Sequence, residues 1–460
     1  MGPLDIVFKA YDVRGTVPDQ LDARQCRAVG WGFARFAGAE RILVARDMRE
    51  SGIELSEAFS AGARAAGVGV VDIGLASTDL LYYASGKLQL PGAMFTASHN
   101  PAQYNGIKFC LSGARPVGLD TGLRDVKREA EAALLSGDDL GEPKASAEKT
   151  DLIEEYASHV RGFLPSSDLL PLKVVADTAN GMGGLVVPKV FEGLPFELHI
   201  LFGELDGSFP NHPADPIQPA NLADLKTAVL DLGADVGLAF DGDADRVFLV
   251  DEQANEVSGS LTTALVAKAM LERDPGATIL YNIICSRVVP ETIAECGGIG
   301  IRTRVGHSFI KQVMAETNAV FGGEHSGHYY FRDNFRADSG IIAAMVMLGM
   351  MSTSREKLSE LLAPYRRYSD SGEVNMEHPD PTGAVEAVAA LVAAGGDAID
   401  RTDGLTVEHP DWWFNLRPSN TEPLLRLNVE ARTDEECEKH VRQVIGLVSE
   451  ATGTVPVLAS

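Results

Sequence analysis

Cysteine is scarce in this chain. The five present in 460 residues (Cys26, Cys110, Cys285, Cys296 and Cys437) are odd in number, scattered and never in C-x-x-C spacing. That pattern argues against a disulfide framework and a cysteine-held zinc site, and it fits a reducing cytoplasm. Positive charge is short as well: 40 basic residues face 65 acidic ones, for a net charge of -25. Nucleic acid and anionic membranes need Lys and Arg to neutralise their dense negative charge, so neither is an expected partner. An anionic ligand has to be caught by a local basic pocket instead. Long hydrophobic runs are missing too. The most apolar stretch, Ile341 to Met351, falls short of the roughly 20 residues that span a bilayer and is expected to be a buried helix. The opening MGPLDIVFKAYDVRG has no basic region followed by an apolar one, and Ile6 stands where a myristoylation signal wants Ser or Thr. No secretion signal or lipid anchor is expected.

What the chain does have is length and repetition. At 460 residues it exceeds one ordinary hydrophobic core. Three stretches share the order apolar strand, helix, second strand: RILVARD from Arg41 with GVGVVDIG up to Gly74, KVVADT from Lys173 with FELHILFG up to Gly203, and ATILYNI from Ala277 with GIGIRTRVG up to Gly306. Strands alternating with helices at this spacing predict α/β units with crossover connections. Polar segments separate them: SGDDLGEPKASAEKT (Ser136 to Thr150), VDEQANEVSGS (Val250 to Ser260) and APYRRYSD (Ala363 to Asp370). The expected domains are therefore 1–148, 149–254, 255–363 and 364–460. In the last, an alanine-rich helix at Ala384 to Ala394 precedes the strand-like WWFNLRPSN and LLRLNVEA, an order that predicts a smaller α+β domain.

Four segments carry chemistry. In MFTASHNPAQYNGIKF, a strand runs into a loop at Ser98, and Lys108 follows on the next strand. A hydroxyl at the end of a rigid strand can be an oriented nucleophile, though an ordinary Ser or Asx turn reads the same way. Side chains of adjacent extended residues point to opposite faces, so His99 is expected to be badly placed as a base for Ser98. In ADVGLAFDGDADRVFLVDE, Asp241, Asp243 and Asp245 alternate between two apolar strands. Three carboxylates this close need a cation, and hard oxygen ligands suit Mg²⁺ or Mn²⁺, Mg²⁺ the better when a phosphate supplies a further oxygen. Arg246 adds a fork for that phosphate. The D-x-D-x-D opening also begins an EF-hand, but Arg246 stands where that loop requires Gly, and the flanks are strand-like.

The third segment joins GHSFIKQ, carrying His307, to FGGEHSGHYYF, a Gly-punctuated loop with Glu324, His325, Ser326 and His328. Carboxylate, hydroxyl and imidazole are the groups that bind vicinal sugar hydroxyls. A zinc reading of the two histidines ranks lower, because Gly327 interrupts the helix that would align them. His307 also reads as a plain helix-start residue. The fourth, NLRPSNTEP, gathers Arg417, Ser419, Asn420 and Thr421 in a turn, as a phosphate nest or a simple type I turn.

Together, TASHNP, DGDADR, GEHSGH and RPSNTEP resemble, in order and one per domain, the phosphoserine, metal, sugar and phosphate loops of the α-D-phosphohexomutase superfamily, in its bacterial phosphomannomutase/phosphoglucomutase form. AYDVRG is similar to the family's N-terminal segment and assigns Arg14 to the neighbourhood of the phosphoserine. The resemblance implies four domains, three similar mixed-sheet α/β units and a distinct fourth, around a central cleft in a cytoplasmic enzyme. It implies that Ser98 carries the phosphoryl group and joins Asp241, Asp243 and Asp245 on Mg²⁺. Lys108 and His307 match positions proposed to move protons, Arg246 contacts the phosphoserine region, and Glu324, Ser326 and His328 belong to the loop that grips the sugar. Arg417, Ser419, Asn420 and Thr421 would hold the non-reacting phosphate. One departure stands out: some relatives have Lys where NIICSR has Ile284, so a phosphate contact is lost or replaced, with Arg287 the candidate replacement.

The reaction so implied interconverts hexose 6-phosphate and hexose 1-phosphate through a hexose 1,6-bisphosphate, which also serves as activator. GEHSGH looks more like the phosphomannomutase/phosphoglucomutase form than like phosphoglucosamine mutases, which favours mannose with glucose accepted. Two rivals remain. GLAFDGDAD also resembles haloacid-dehalogenase phosphatases, in which Asp241 would be the nucleophile. A non-enzymatic calcium-binding or sugar-phosphate-sensing protein would explain the acidic loop, but not the Ser-Lys segment that accompanies it.

Overall fold

The computed structural model describes residues 2–135, 140–166, 168–419 and 424–458, without the side chains of His307 and Ser308. The three repeated stretches form parallel strand pairs joined by helices: Arg41–Arg46 with Gly69–Leu75, Leu172–Asp177 with Phe196–Leu201, and Thr278–Asn282 with Ile299–Thr303. Each pair sits in its own sheet, and each of those sheets also contains antiparallel strands. The first strand of each pair is legible as an apolar run because most of it is buried; Val236–Phe240 is buried throughout. The C-terminal domain is antiparallel, with the hairpin Trp413–Pro418 and Leu424–Ala431 at the centre of its sheet. The helices Pro381–Gly395 and Asp434–Thr452 contribute Val385, Val388, Val444 and Val448 to its separate core. One contiguous apolar cluster, by contrast, runs through the first three domains, from Leu43 through Val174 and Phe240 to Phe331 and Leu362.

Two short edge strands extend the first two sheets. Ala147–Lys149, within the segment expected to be an exposed linker, pairs parallel with Gly69–Leu75, and Glu256–Val257 pairs with Val247–Asp251. All of Ala147–Lys149 is exposed, so it has no apolar alternation to betray it; backbone pairing and an exposed Arg41–Glu148 ion pair hold it there. The apolar run at Ile341 lies in the buried helix Gly340–Ser354, capped by Ser339. Among the described residues no helix is long and apolar enough to cross a membrane. All five cysteines are free thiols.

A buried carboxylate ties the domains together. Asp79 accepts from Ser77, from Tyr156 Oη at 2.5 Å and from Ser339 Oγ at 2.6 Å. Burial pushes its carboxyl up to about 7, against the pull of the three hydroxyls. A carboxyl raised on folding stabilises the native state fully below its unfolded value of about 4 and loses that contribution as pH climbs through the folded one. Asp79→Asn is therefore expected to gain in melting temperature relative to the parent as pH rises from about 4 to about 7. Calorimetric melts across that range check it; a constant difference would show that Asp79 does not titrate in this window.

Candidate active site

The strand Gly92–Phe95 runs into the Ser98 loop, and its antiparallel partner Tyr104–Leu111 sets Lys108 opposite Met94. Ser98 has φ +49, a left-handed conformation that non-glycine residues enter at a cost. This turn aims its hydroxyl out of the strand line. Ser98 Oγ donates to Asp241 Oδ2 at 2.7 Å, and His99 Nδ1 lies 3.3 Å from Ser98 Oγ. Strand alternation therefore does not separate His99 from Ser98, because Ser98 is not extended. Burial, with Arg246 and Arg14 nearby, holds the His99 imidazole well below its ordinary pKa.

The three aspartates occupy the turn between Val236–Phe240 and the antiparallel Val247–Asp251. They meet Ser98 from across the domain boundary, with side chains essentially inaccessible. Lys108 Nζ lies 2.7 Å from both Asp243 Oδ2 and Asp245 Oδ2. Arg246 Nε donates to Asp241 Oδ2 at 2.9 Å, and Thr78 Oγ1, from the first domain, donates to Asp243 Oδ2 at 2.6 Å. Burial pushes the Asp241 carboxyl up to about 7 despite Arg246. Burial acts the same way on Asp243, but the Lys108 ammonium overrides it and holds that carboxyl below the usual range. Asp243 Oδ1 and Asp245 Oδ1 are buried without a hydrogen-bond partner. One ligand oxygen from each of the three aspartates lies within 4.8 Å of the others. Orphaned carboxylate oxygens in a dry site fit a hard divalent cation. Asp245, His328 and Asp338 meet the same spacing, and Asp245 is common to both groups.

Arg14 donates to Asn100 Oδ1 and to Asp12 Oδ2, both at 2.5 Å, which ties the N-terminal strand to the Ser98 loop. The segment from Glu324 to His328 joins the metal loop through a bridge between Arg246 and His328. His328 Nδ1 contacts Ser326 Oγ at 3.1 Å, and its Nε2 lies 3.7 Å from Asp245 Oδ1. Glu324 is buried and already engaged: Oε1 accepts from Asn282 Nδ2 at 3.2 Å and Gly306 N at 3.1 Å, and Oε2 from Tyr330 Oη at 2.6 Å. Three bonds leave about one of the four or so acceptor positions of a carboxylate open, on Oε2.

His307 opens the helix His307–Thr317, but its side chain lies outside the described residues, as do Asn420 and Thr421. Arg417 and Ser419 stand on the C-terminal domain, where Arg417 Nη2 pairs with Glu373 Oε2 at 2.6 Å and Ser419 N donates to Leu424 O at 2.8 Å. Arg287 does not point to a free phosphate position. Its Nη2 donates to His409 O at 2.6 Å, its Nη1 to Pro410 O at 3.1 Å, and its backbone N to Glu430 Oε1 at 3.0 Å. It fastens the third domain to the fourth, while Ile284 is buried. Thr78 and Arg49 were not anticipated from the sequence. Arg49 has a visible sign, a charged pair with Asp47 just past an apolar strand, whereas nothing about Thr78 in sequence points to Asp243.

Comparison with known proteins agrees along nearly the whole chain. The phosphoglucomutase/phosphomannomutase alpha/beta/alpha domains I, II and III match residues 5–133, 154–255 and 258–368, and the C-terminal domain of that family matches 373–447. A protein of Xanthomonas campestris named for phosphohexose mutases is 39% identical, covering 93% of this chain and 95% of that one. A Salmonella typhimurium phosphomannomutase is 37% identical, covering 96% and 99% respectively. The crystal structure of a phosphoglucomutase/phosphomannomutase family protein from Burkholderia thailandensis superimposes with a TM-score of 0.89 at 31% identity, covering 98% of each chain. The four loops, the four domains and these likenesses all lead to one conclusion: the chain belongs to the phosphoglucomutase/phosphomannomutase family of the α-D-phosphohexomutase superfamily.

Proposed function

We propose that this protein is a Mg²⁺-dependent phosphohexomutase that interconverts hexose 6-phosphate and hexose 1-phosphate through phosphorylated Ser98, with mannose favoured and glucose accepted. The observation that carries the reading is the Ser98 hydroxyl, 2.7 Å from Asp241 Oδ2, with Lys108 and Arg246 on the same carboxylate cluster. Phosphoserine gives its phosphoryl group to the free hydroxyl of the sugar monophosphate: the Ser98 Oγ–P bond breaks, a P–O bond to the sugar forms, the sugar hydroxyl gives its proton to a base of the site, and an acid of the site returns a proton to Ser98 Oγ. The resulting 1,6-bisphosphate turns end for end, and Ser98 takes the other phosphoryl group. Bound Mg²⁺, held by the three aspartates and a Ser98 phosphate oxygen, would supply charge neutralisation for the phosphoryl in flight. Lys108, its ammonium stabilised by two carboxylates, adds fixed positive charge there. Hexose 1,6-bisphosphate would recharge an enzyme that has lost its phosphate. The mannose preference draws on the phosphomannomutase names of the Salmonella and Escherichia coli relatives. Small hexose phosphates are the expected partners, in a reducing cytoplasm, with neither nucleic acid nor membrane engaged.

Asp241 as a dehalogenase-type nucleophile fits less well. Its Oδ1 accepts from Arg246 N at 3.2 Å and its Oδ2 from Ser98 Oγ and Arg246 Nε, and the strand before it returns as an antiparallel strand rather than a helix. Coupled assays on mannose 1-phosphate, glucose 1-phosphate and glucosamine 6-phosphate test the proposal. Turnover on the first two supports it, and activity on none of the three excludes it.

The non-reacting phosphate is assigned to the loop of Arg417, Ser419, Asn420 and Thr421. Losing a charge-assisted contact is worth about 1.5 to 3 kcal/mol, so Arg417→Ala is expected to raise KM about tenfold or more in both directions and to leave phosphate on Ser98. Steady-state kinetics in the two directions check this, and an unchanged KM in both would remove Arg417 from the phosphate site.

A further inference from the structure

Behind the Ser98 loop lies a guanidinium that makes no direct contact with the metal aspartates. Arg49 is almost wholly buried, and its hydrogen bonds converge on one short segment of chain. Nη2 donates to Ser98 O at 3.0 Å and Asn100 O at 2.6 Å, and Nη1 donates to Pro101 O at 2.8 Å and Tyr104 O at 3.0 Å. Asp47, at the end of the strand Arg41–Arg46, holds the other side, accepting from Arg49 Nε at 3.2 Å and Arg49 N at 2.9 Å. Asp47 N in turn donates to Phe95 O at 2.8 Å, which ties this anchor to the strand that leads into the loop.

The second domain closes over the arrangement. The Phe209 ring lies 5.0 Å from the Arg49 guanidinium, and a Cβ on Gly207 would come within 2.7 Å of Arg49 Cα. From the metal loop, a Cβ on Gly242 would meet Ser98 O at 2.5 Å. The Ser98 carbonyl is thus gripped by Arg49 on one side and packed against the metal loop on the other. Ser98 itself holds a left-handed φ that a serine does not adopt freely.

We propose that Arg49 is a positioning residue for phosphoryl transfer, clamping the carbonyls of Ser98, Asn100, Pro101 and Tyr104 so that Ser98 Oγ keeps its aim whether or not it carries phosphate. The inference rests on the phosphoserine reading. Ser98 changes by about two charges at each half-reaction, and a loop free to relax between those states would have to be rebuilt before it could take the phosphoryl group back. Four main-chain acceptors, two on each terminal nitrogen, match the fixed fork of Arg and not the point charge of Lys. Misplacement of a reacting group by about 1 Å costs about 100-fold in rate.

The test compares Arg49→Lys, Arg49→Ala and Ser98→Ala in full-length protein, by kcat, KM, melting temperature and Ser98 phosphate occupancy. Arg49→Lys is expected to lose about 100-fold in kcat with KM within about twofold. Guanidinium, below concentrations that shift the unfolding transition, should restore part of kcat to Arg49→Ala and none to Arg49→Lys, whose side chain fills the space. If Ser98→Ala is inactive while Arg49→Lys keeps the parental kcat, the clamp is wrong and the phosphoserine reading stands. If Ser98→Ala stays active, the phosphoserine reading itself has failed. Loss of activity in step with melting temperature, with no guanidinium rescue of Arg49→Ala, would reduce Arg49 to a fold element and overturn the proposal.

Discussion

Ser98→Ala is expected to fold like the parent and to lose nearly all mutase turnover. The structural cost is small, because the change removes one hydroxyl at a site where Asp241 Oδ2 keeps its bond to Arg246 Nε at 2.9 Å. A single hydrogen bond contributes about 1 kcal/mol net, and the left-handed φ at this position is borne by Ser in the parent as by Ala in the variant. The chemical cost is large. Without the hydroxyl no covalent acceptor remains, and direct transfer between two sugars would need both in one site. A fall of orders of magnitude follows. Steady-state assays beside a thermal melt separate the two costs: full activity in a folded Ser98→Ala protein would rule out Ser98 as the carrier.

Asp243→Asn should be nearly as damaging, with a distinct signature. Asp241, Asp243 and Asp245 face two fixed cations, Lys108 and Arg246. With all three carboxylates ionised the cluster carries one negative charge in excess, a state that burial already opposes by pushing Asp241 up to about 7, and a divalent ion turns the excess into one positive charge. Removing the Asp243 charge relieves repulsion in the metal-free protein while taking away a ligand whose Oδ1 is buried and without a partner. Added Mg²⁺ is expected to raise the melting temperature of the parent by mass action and to leave the variant almost unmoved, with turnover lower by orders of magnitude. Calorimetry with and without Mg²⁺, after EDTA treatment, checks this. Full turnover in metal-stripped protein would exclude a metal role.

The parts of this molecule most plainly read from sequence are its buried strands. The strands at Arg41–Arg46, Leu172–Asp177 and Thr278–Asn282 appear as apolar runs because helices and neighbouring strands cover them. The acidic turn was legible because three carboxylates between such strands have no bland explanation. Other features leave no trace in composition. Ala147–Lys149 is exposed throughout, so no apolar pattern marks it as part of a sheet. The geometry of His99 depends on one dihedral, φ +49 at Ser98, which no alternation rule contains. The residue type of Glu324 points to a sugar, but nothing in the sequence shows that Asn282, Gly306 and Tyr330 would fix its carboxylate in place. Arg287 looks like a spare cation until the carbonyls of His409 and Pro410 are seen to hold it.

Phosphopeptide analysis of the enzyme after exposure to a hexose 1,6-bisphosphate tests the central claim most directly, with the modified peptide treated with acid and with hydroxylamine. A phosphate on the peptide containing Ser98, stable to both, is the predicted result, since phosphoserine survives conditions that cleave an acyl phosphate. A hydroxylamine-labile phosphate on the peptide containing Asp241, or no phosphate on an enzyme that still turns over, would contradict it.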